Sequence, residues 1–550
     1  MNILKGDPSS DSIENGNMIS SDPKSSENAV LGEVISGAVS GAIELKLKED
    51  SEEVRIGYPV VVEGKKFDFY CMLSDICFPG SNAVTMLANA ERLRSTIPSS
   101  MIETARGRTF FSTAMLQCLL MIEKTSGKTY QFETLPPYFS SGRLANEEDV
   151  NQVYIADRPE LHQTIGTLRG VPKFEIPIDF KTLIEVPFGI FGRTHSGKTF
   201  LNKIILGNIL FTGVSQVLVF DMQSEYGWRS RADRSPGLKF FFEDQVTLIR
   251  LDPVATRVGD ADLLIGEDEI TSDDLLVVFQ DLSPSMVDAI FEIDSKRAGN
   301  QSLVDAIRSA PLLEENPYSS TVNTLNALAR RMGRLNRLEF VVESGRGTLN
   351  NLIGYIKSNQ SIVIDFGKYG GDHFAYVFVA NIISRRLYNL YSRSDEASDL
   401  PHLVVLLEEA HKFLEPSVAR YTIFDRLARE MRKFNLVLAM VDQRPSKIDT
   451  EILSQLANRF VLSLTDPKDI VGALTGPVDP AAWKAIVKAM PVRTVLMFGD
   501  AIKAPTAMDV LDYNELSMST KWKVEGSSRE DFRKKLEGMS EEQMEHFFDP

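Results

Sequence analysis

The chain is short of cysteine, of positive charge and of long apolar runs, and each shortage excludes something. Its three cysteines, Cys71, Cys77 and Cys118, fit no CxxC spacing and cannot all pair. A cysteine-held metal and a disulfide framework are therefore not expected, and a reducing, cytoplasmic compartment is. The longest apolar run, FAYVFVANII (Phe374 to Ile383), is too short to cross a bilayer and carries Asn381, so no membrane span is expected. The N-terminus has neither the basic start nor the apolar stretch of a signal peptide. Residues 1–28, rich in Ser, Asn, Asp and Gly, read instead as a disordered tail. With 60 Lys and Arg against 76 Asp and Glu, the net charge is -16. That excludes a protein that coats nucleic acid with its whole surface, but not a ring or channel with a few inward-facing basic residues.

What is present is the composition of an ordinary globular protein, with 43% hydrophobic and 25% charged residues over 550 positions, enough for several modules. Residues 29–165 carry short apolar runs broken by Gly, Asp and Lys clusters, the spacing of a small N-terminal β-barrel, with a helix expected over residues 83–94 (AVTMLANAERLR). From about Val171 the grammar changes. The runs FGIF, VLVF, SIVIDF, LVVLL, LVLAMV, FVLSL and TVLMF alternate with helical patterns, which predicts a parallel sheet with helices on both faces. The fold class is thus α/β, with a P-loop ATPase domain over 166–505, a helical insertion at about 267–355 and a helical C-terminal extension over 506–550.

The segment GRTHSGKT fits G-x-x-x-x-G-K-[ST] in full, followed by Phe200. It comprises Gly192, Arg193, Thr194, His195, Ser196, Gly197, Lys198 and Thr199. An apolar strand precedes it and a helical pattern follows, so backbone N–H groups and a helix N-terminus would face phosphates. Lys198 would reach the β and γ oxygens and Thr199 would ligate Mg²⁺. Such a loop needs acids at a neighbouring strand end, and LVVLLEEAHKF supplies Glu408 and Glu409. Glu408, where Asp is usual, would hold the metal, and Glu409 would orient and deprotonate the attacking water. Two further strand ends bring Asp221 and Glu225 (VLVFDMQSEYGW) and Gln443 (LVLAMVDQRPS), the latter placed to sense the γ-phosphate. Between them, RLAREMRKFN ends a helix with Arg429, Arg432 and Lys433.

In this order, GRTHSGKT, DMQSEY, LLEEAHKF, REMRKFN and DQRPSKIDTEILSQLANRF resemble the HerA family of hexameric ATPases, of the HerA/FtsK class of DNA-pumping motors. The resemblance implies a RecA-like ATPase domain, ATP with Mg²⁺ at Lys198 and Thr199, a catalytic Glu409 beside Glu408, an acidic Asp221 near the site and a sensor Gln443. Arg432 matches an arginine that is a candidate finger for the neighbouring subunit's nucleotide, although Met431 replaces the family's glycine before it. Val186 and Pro187 stand where the family often has an Arg-His pair. The implied assembly is a homohexamer that threads DNA through its pore and docks a nuclease or other effector on the barrel face, in DNA end processing or antiphage defence. Arg229, Arg231, Arg234, Lys296 and Arg297 are candidates for the grip on the phosphate backbone. Two other readings are an ATP-gated ring that assembles and switches an effector, and a secretion or conjugation ATPase.

Overall fold

The computed structural model describes residues 30–48, 52, 54–78, 111–154, 158–252, 259–392, 400–416, 419, 422–476 and 480–523. The N-terminal tail, the helix expected over 83–94 and most of the C-terminal extension lie outside them.

The N-terminal unit has seven strands: β1 (Val30–Gly37), β2 (Ile43–Leu47), β3 (Pro59–Glu63), β4 (Phe67–Cys77), β5 (Thr113–Glu123), β6 (Thr129–Gln131) and β7 (Ser141–Leu144). Their order is β2-β1-β7-β3-β4-β5-β6, and β2 pairs back onto β5, so all but β6 close into a barrel. Closure removes the exposed edges that a short antiparallel sheet would otherwise present. Along β2, Ile43, Leu45 and Leu47 are buried and Glu44 and Lys46 half-buried, the period-two alternation of a strand with one face on a core. That core gathers Val34, Val60, Val62, Phe69, Leu73 and Leu116.

The second unit is a twelve-stranded sheet in the order β13-β12-β16-β11-β17-β18-β10-β19-β20-β21-β8-β9. Its strands are β8 (His162–Leu168), β9 (Val171–Asp179), β10 (Phe188–Phe191), β11 (Gln216–Asp221), β12 (Val246–Arg250), β13 (Ala261–Asp262), β16 (Ser361–Asp365), β17 (Leu403–Glu408), β18 (Leu436–Asp442), β19 (Asn458–Leu462), β20 (Thr494–Phe498) and β21 (Thr506–Val510). A separate pair, β14 (Ile265–Gly266) and β15 (Val341–Val342), lies in the stretch between β13 and β16. From β13 to β19 every pairing is parallel. Beyond β19 every pairing is antiparallel. The sheet is therefore mixed, and the expectation of a parallel sheet needs correction at TVLMF, which is β20. An apolar run reports burial and not direction, and an antiparallel edge is built with short returns where a parallel one needs crossovers.

Adjacent residues of one strand feed different cores. Val217 and Val219 pack with Leu201, Ile204, Ile205 and Ile209 of helix α1 (Lys198–Thr212). Leu218 and Phe220 face the other side. That side holds helices α2 (Ser272–Val278), α3 (Pro284–Lys296), α4 (Leu303–Ser309), α5 (Val322–Met332), α6 (Leu349–Lys357) and α7 (His373–Tyr391). α2 is pinned to α7 by Asp274, which is fully buried and accepts from Asn381 Nδ2 (2.9 Å) and from Arg385 Nε (3.0 Å) and Nη2 (2.7 Å). Three donors on one carboxylate offset the cost of burying its charge. The run FAYVFVANII forms the first half of α7, and among the described residues no helix is long and apolar enough to cross a membrane.

Candidate nucleotide site

β10 lies between β18 and β19, so the loop after it opens at the carboxyl ends of three central parallel strands. Both neighbours hold it. Gly192 N donates to Asp442 O at the end of β18 (3.1 Å), and Arg193 N to Ser463 O just past β19 (3.0 Å). The loop closes on itself through Ser196 Oγ, which donates to Arg193 O (2.7 Å). His195 at φ 60° and Gly197 at φ 100° turn the chain into α1. Gly197 caps α1 without a side-chain acceptor, so the first-turn N–H groups point into the loop as an anion cradle. Lys198 Nζ donates to Gly192 O (2.5 Å) and Arg193 O (2.9 Å), which sets the ammonium on the loop's inner rim. Burial lowers its pKa against the opposing pull of Asp442, Glu408 and Glu409. Arg193, Thr194 and His195 form the exposed crest, where Thr194 Oγ1 donates to Gln443 Oε1 (2.7 Å). The predicted sensor thus touches the phosphate loop directly.

Glu408 ends β17. Its Oε1 accepts from Tyr226 Oη (2.6 Å), which in turn accepts from Asn202 Nδ2 of α1 (3.1 Å). Desolvation raises the carboxyl to about 7; the Tyr226 hydrogen bond opposes the rise, while the neighbouring Glu225 and Glu409 charges add to it. Glu409 turns outward at φ 50° and pairs with Lys412. Tyr376 Oη of α7 donates to Glu408 O (2.7 Å) and fixes the turn from the other face of the sheet. The two adjacent acids are thereby separated: one faces the Tyr226 network and the other the rim.

The remaining predicted residues fall differently. Asp221 is fully buried, and its carboxylate accepts from Glu225 N (2.9 Å) and Tyr226 N (2.8 Å). Burial, reinforced by Asp365 at the same level of β16, pushes it up to about 8. It shapes the turn that carries Glu225 and Tyr226. Glu225 lies near the Thr199 side chain and the buried Lys203 ammonium; burial raises its pKa against the lowering effect of both. The backbone of Arg432 lies in the turn Met431–Phe434, and its side chain lies outside the described residues.

Two members of the site carried no predicted role. Asp442, whose side chain is fully buried, accepts from His411 N (2.6 Å), from His411 Nδ1 (2.9 Å) and from Arg444 N (2.6 Å). With its backbone carbonyl on Gly192, this one residue ties together the phosphate loop, the acidic turn and the Gln443 turn. Both lay inside quoted segments, Asp442 in LVLAMVDQRPS and His411 in LLEEAHKF, and only the pairing of β17 with β18 brings them within reach.

The basic candidates divide. Lys296 is bound to Glu292 (2.7 Å) and Pro317 O (2.7 Å), and Arg297 to Asp294 (2.7 Å) and Gln301 O (2.5 Å). Arg229 meets Glu515 (3.2 Å) and the Phe240 ring (4.7 Å), whereas Arg231 and Arg234 are exposed beyond β11.

Comparison with known proteins agrees with this geometry. Residues 162–387 match the model of the family described as "Helicase HerA, central domain". The chain is 22% identical over 411 residues to the DNA double-strand break repair helicase HerA of Pyrococcus furiosus, covering 68% of this chain and 73% of that one. It is 23% identical over 433 residues to the protein of the same name from Sulfolobus acidocaldarius, covering 75% and 82%. Among solved structures, the bacterial conjugative coupling protein TrwBdeltaN70 superposes with a TM-score of 0.41 at 12% identity, over 68% of this chain and 93% of that one. The matched stretch begins at β8, runs through the phosphate loop and the Glu225 turn and ends inside α7, so this part of the chain is similar to the HerA central domain.

Proposed function

We propose that the protein is an ATP-driven DNA translocase or helicase that works as a homohexamer with a nuclease or effector partner. The observation that carries the reading is the convergence of Lys198, Thr199, Glu408, Glu409 and Gln443 on one loop, with Gln443 hydrogen-bonded to Thr194. Glu409, at the rim, is the base for the attacking water, and Gln443 orients that water or senses the γ-phosphate through the Thr194 contact. The Thr199 hydroxyl lies near the Glu225 carboxylate, and Glu225 lies in turn near Glu408; these oxygen donors are of the kind that suits Mg²⁺. Bound there with the nucleotide, the metal would neutralise charge on the β and γ oxygens. Hydrolysis needs a second cation on the leaving phosphate, and Arg432 of a neighbouring subunit is the candidate. The RecA-like ATPase domain (166–505) then cycles around a ring, and the exposed Arg231 and Arg234 are the strongest candidates to grip a phosphate backbone. On the barrel (29–165), exposed Leu135, Tyr138 and Phe139 support a docking face for the partner. The homologues named DNA double-strand break repair helicases favour end processing over defence.

The test is the ATPase rate of the full-length protein with and without duplex DNA, with the particle mass measured in ATP. Stimulation by DNA in a six-subunit particle is expected; full-rate hydrolysis without DNA would count against translocation. Because Lys296 and Arg297 are already engaged within the chain, a ring that mainly switches an effector is the second reading. A Lys198→Ala ring that still activates its partner would establish that alternative.

A further inference from the structure

A second surface flanks the phosphate loop on the side away from the acids. Arg493 precedes β20, and its backbone N–H donates to Ser196 O (3.0 Å). A side-chain carbon placed on Gly197 would stand 3.3 Å from Arg493 Cγ, so the arginine lies directly against the loop. Arg493 is held at φ 64°, a conformation that costs a non-glycine residue free energy, and Val510 N anchors it by donating to its carbonyl (2.8 Å). Its guanidinium lies over the ring of Phe200, 5.3 Å from the centroid, and Nη1 meets Asp512 Oδ1 at 2.8 Å. Phe200, the residue after Thr199, stacks in turn on Tyr513 with centroids 5.9 Å apart and planes at 21°. The layers are therefore Tyr513, Phe200 and Arg493, with the arginine side chain 49% and the Asp512 side chain 76% exposed.

We propose that this shelf is the base subsite: the purine of ATP lies on the guanidinium of Arg493, and Asp512 accepts a hydrogen bond from its exocyclic amine. The inference rests on the nucleotide reading of the loop and adds where the base lies. An exposed Arg–Asp pair contributes little to stability and does not offset a left-handed backbone, so the pair has no structural account of its own. A planar cation backed by two stacked rings is, however, a platform for a flat aromatic ligand. It begins one residue beyond Thr199, within reach of a nucleotide whose phosphates fill the loop. Adenine offers its exocyclic amine to Asp512, and guanine offers an exocyclic amine and a ring N–H of its own, so the carboxylate holds a purine edge without choosing between the two bases.

Calorimetry on the full-length protein with ATP, GTP and inorganic tripolyphosphate separates the base from the phosphates. Arg493→Ala is expected to weaken ATP roughly ten-fold, the scale of one lost stacking contact, and to leave tripolyphosphate unchanged. Unchanged ATP affinity would overturn the proposal, and so would an equal loss for both ligands, which would make Arg493 a support of the loop. Should Arg493→Ala fail to fold, the exposed Asp512→Asn is the second variant. It is expected to weaken ATP while leaving tripolyphosphate unchanged, and an unchanged ATP affinity overturns the proposal. A wild-type protein that binds neither ATP nor tripolyphosphate refutes the nucleotide reading itself, an outcome distinct from a selective failure of the shelf.

Discussion

The barrel and the parallel half of the large sheet are both built on apolar strands, yet they treat charge in opposite ways. Among the described residues of the barrel, the buried polar side chains are hydroxyls, Ser74 and Thr113, and the interior is otherwise apolar. At the carboxyl ends of the central strands, by contrast, Asp221, Asp365 and Asp442 are buried within a few residues of one another in the pairing register, and Lys203 of α1 is fully buried nearby. A buried carboxylate without partners costs several kcal/mol, so such a group either gathers donors or keeps its proton, and Asp221, pushed up to about 8, does both. Asp442 has three from its own surroundings and Asp221 has two backbone N–H groups. The difference teaches where the molecule stores its polar organisation: the barrel holds a shape, and the strand ends hold poised charges.

The sharpest way to break that contrast is to remove one poised charge without removing its volume. Glu409→Gln keeps the side chain's size and its place at the rim, but it cannot accept a proton. Turnover is expected to fall about 10²- to 10⁴-fold, the usual contribution of a positioned base. ATP binding, measured by calorimetry on the same preparation, is expected to stay within about two-fold, since Lys198 and the loop amides are untouched. Loss of binding together with turnover would move Glu409 from base to ligand contact.

A smaller effect tests how the charges are held together. His411 donates to Asp442 through its backbone and its ring, and chiefly that hydrogen bond raises the imidazole above its ordinary value despite partial burial. A histidine raised in the folded state contributes stability that is fully present below its unfolded pKa of about 6.5 and is lost as the pH climbs through the folded value. The stability gap between wild type and His411→Gln should therefore be widest near pH 6, at about 1 kcal/mol, and close toward about pH 9. Denaturant titration at several pH values reads it. A gap that widens with pH would mean that the ring is held neutral.

How far the sequence alone reaches follows from the same distinction between local and assembled features. The phosphate loop, the strand that feeds it, the Glu408–Glu409 pair and Gln443 are written in contiguous segments, because a strand, a turn and the side chain at its end are neighbours in the chain. The direction of β20 is not written that way: its run TVLMF would read the same in a parallel strand. Nor is the local task of Asp221, the last residue of β11, whose carboxyl accepts from Glu225 N and Tyr226 N. The link from Asp442 to His411 joins residues 31 apart, and Arg493 meets Phe200 from almost 300 residues away; both depend on strand order, which a single sequence specifies only through the finished packing. Asp442 could still have been suspected, since it is an acid directly beside Gln443, a residue already singled out.

The smallest expected effect belongs to the barrel and addresses its one expensive surface feature. Phe139 sits at φ 63° with its backbone fixed, its N–H donating to Val34 O (2.9 Å). Its side chain is 72% exposed, and its ring neighbour is the equally exposed Tyr138, 6.4 Å away. A bulky residue in the left-handed region costs roughly 1–2 kcal/mol, which a packed ring could offset and this exposed one does not. Glycine adopts the same backbone without strain but gains freedom in the unfolded chain, so the two effects partly cancel. Phe139→Gly is therefore expected to leave stability unchanged or raise it by less than about 1 kcal/mol, read from the denaturant midpoint, with the ATPase rate unaltered. If the ring is held there for a partner, the same variant should lose partner binding while folding as well as the wild type. A clear loss of stability would instead show that Phe139 supports the barrel, and the docking face would have to be sought elsewhere on it.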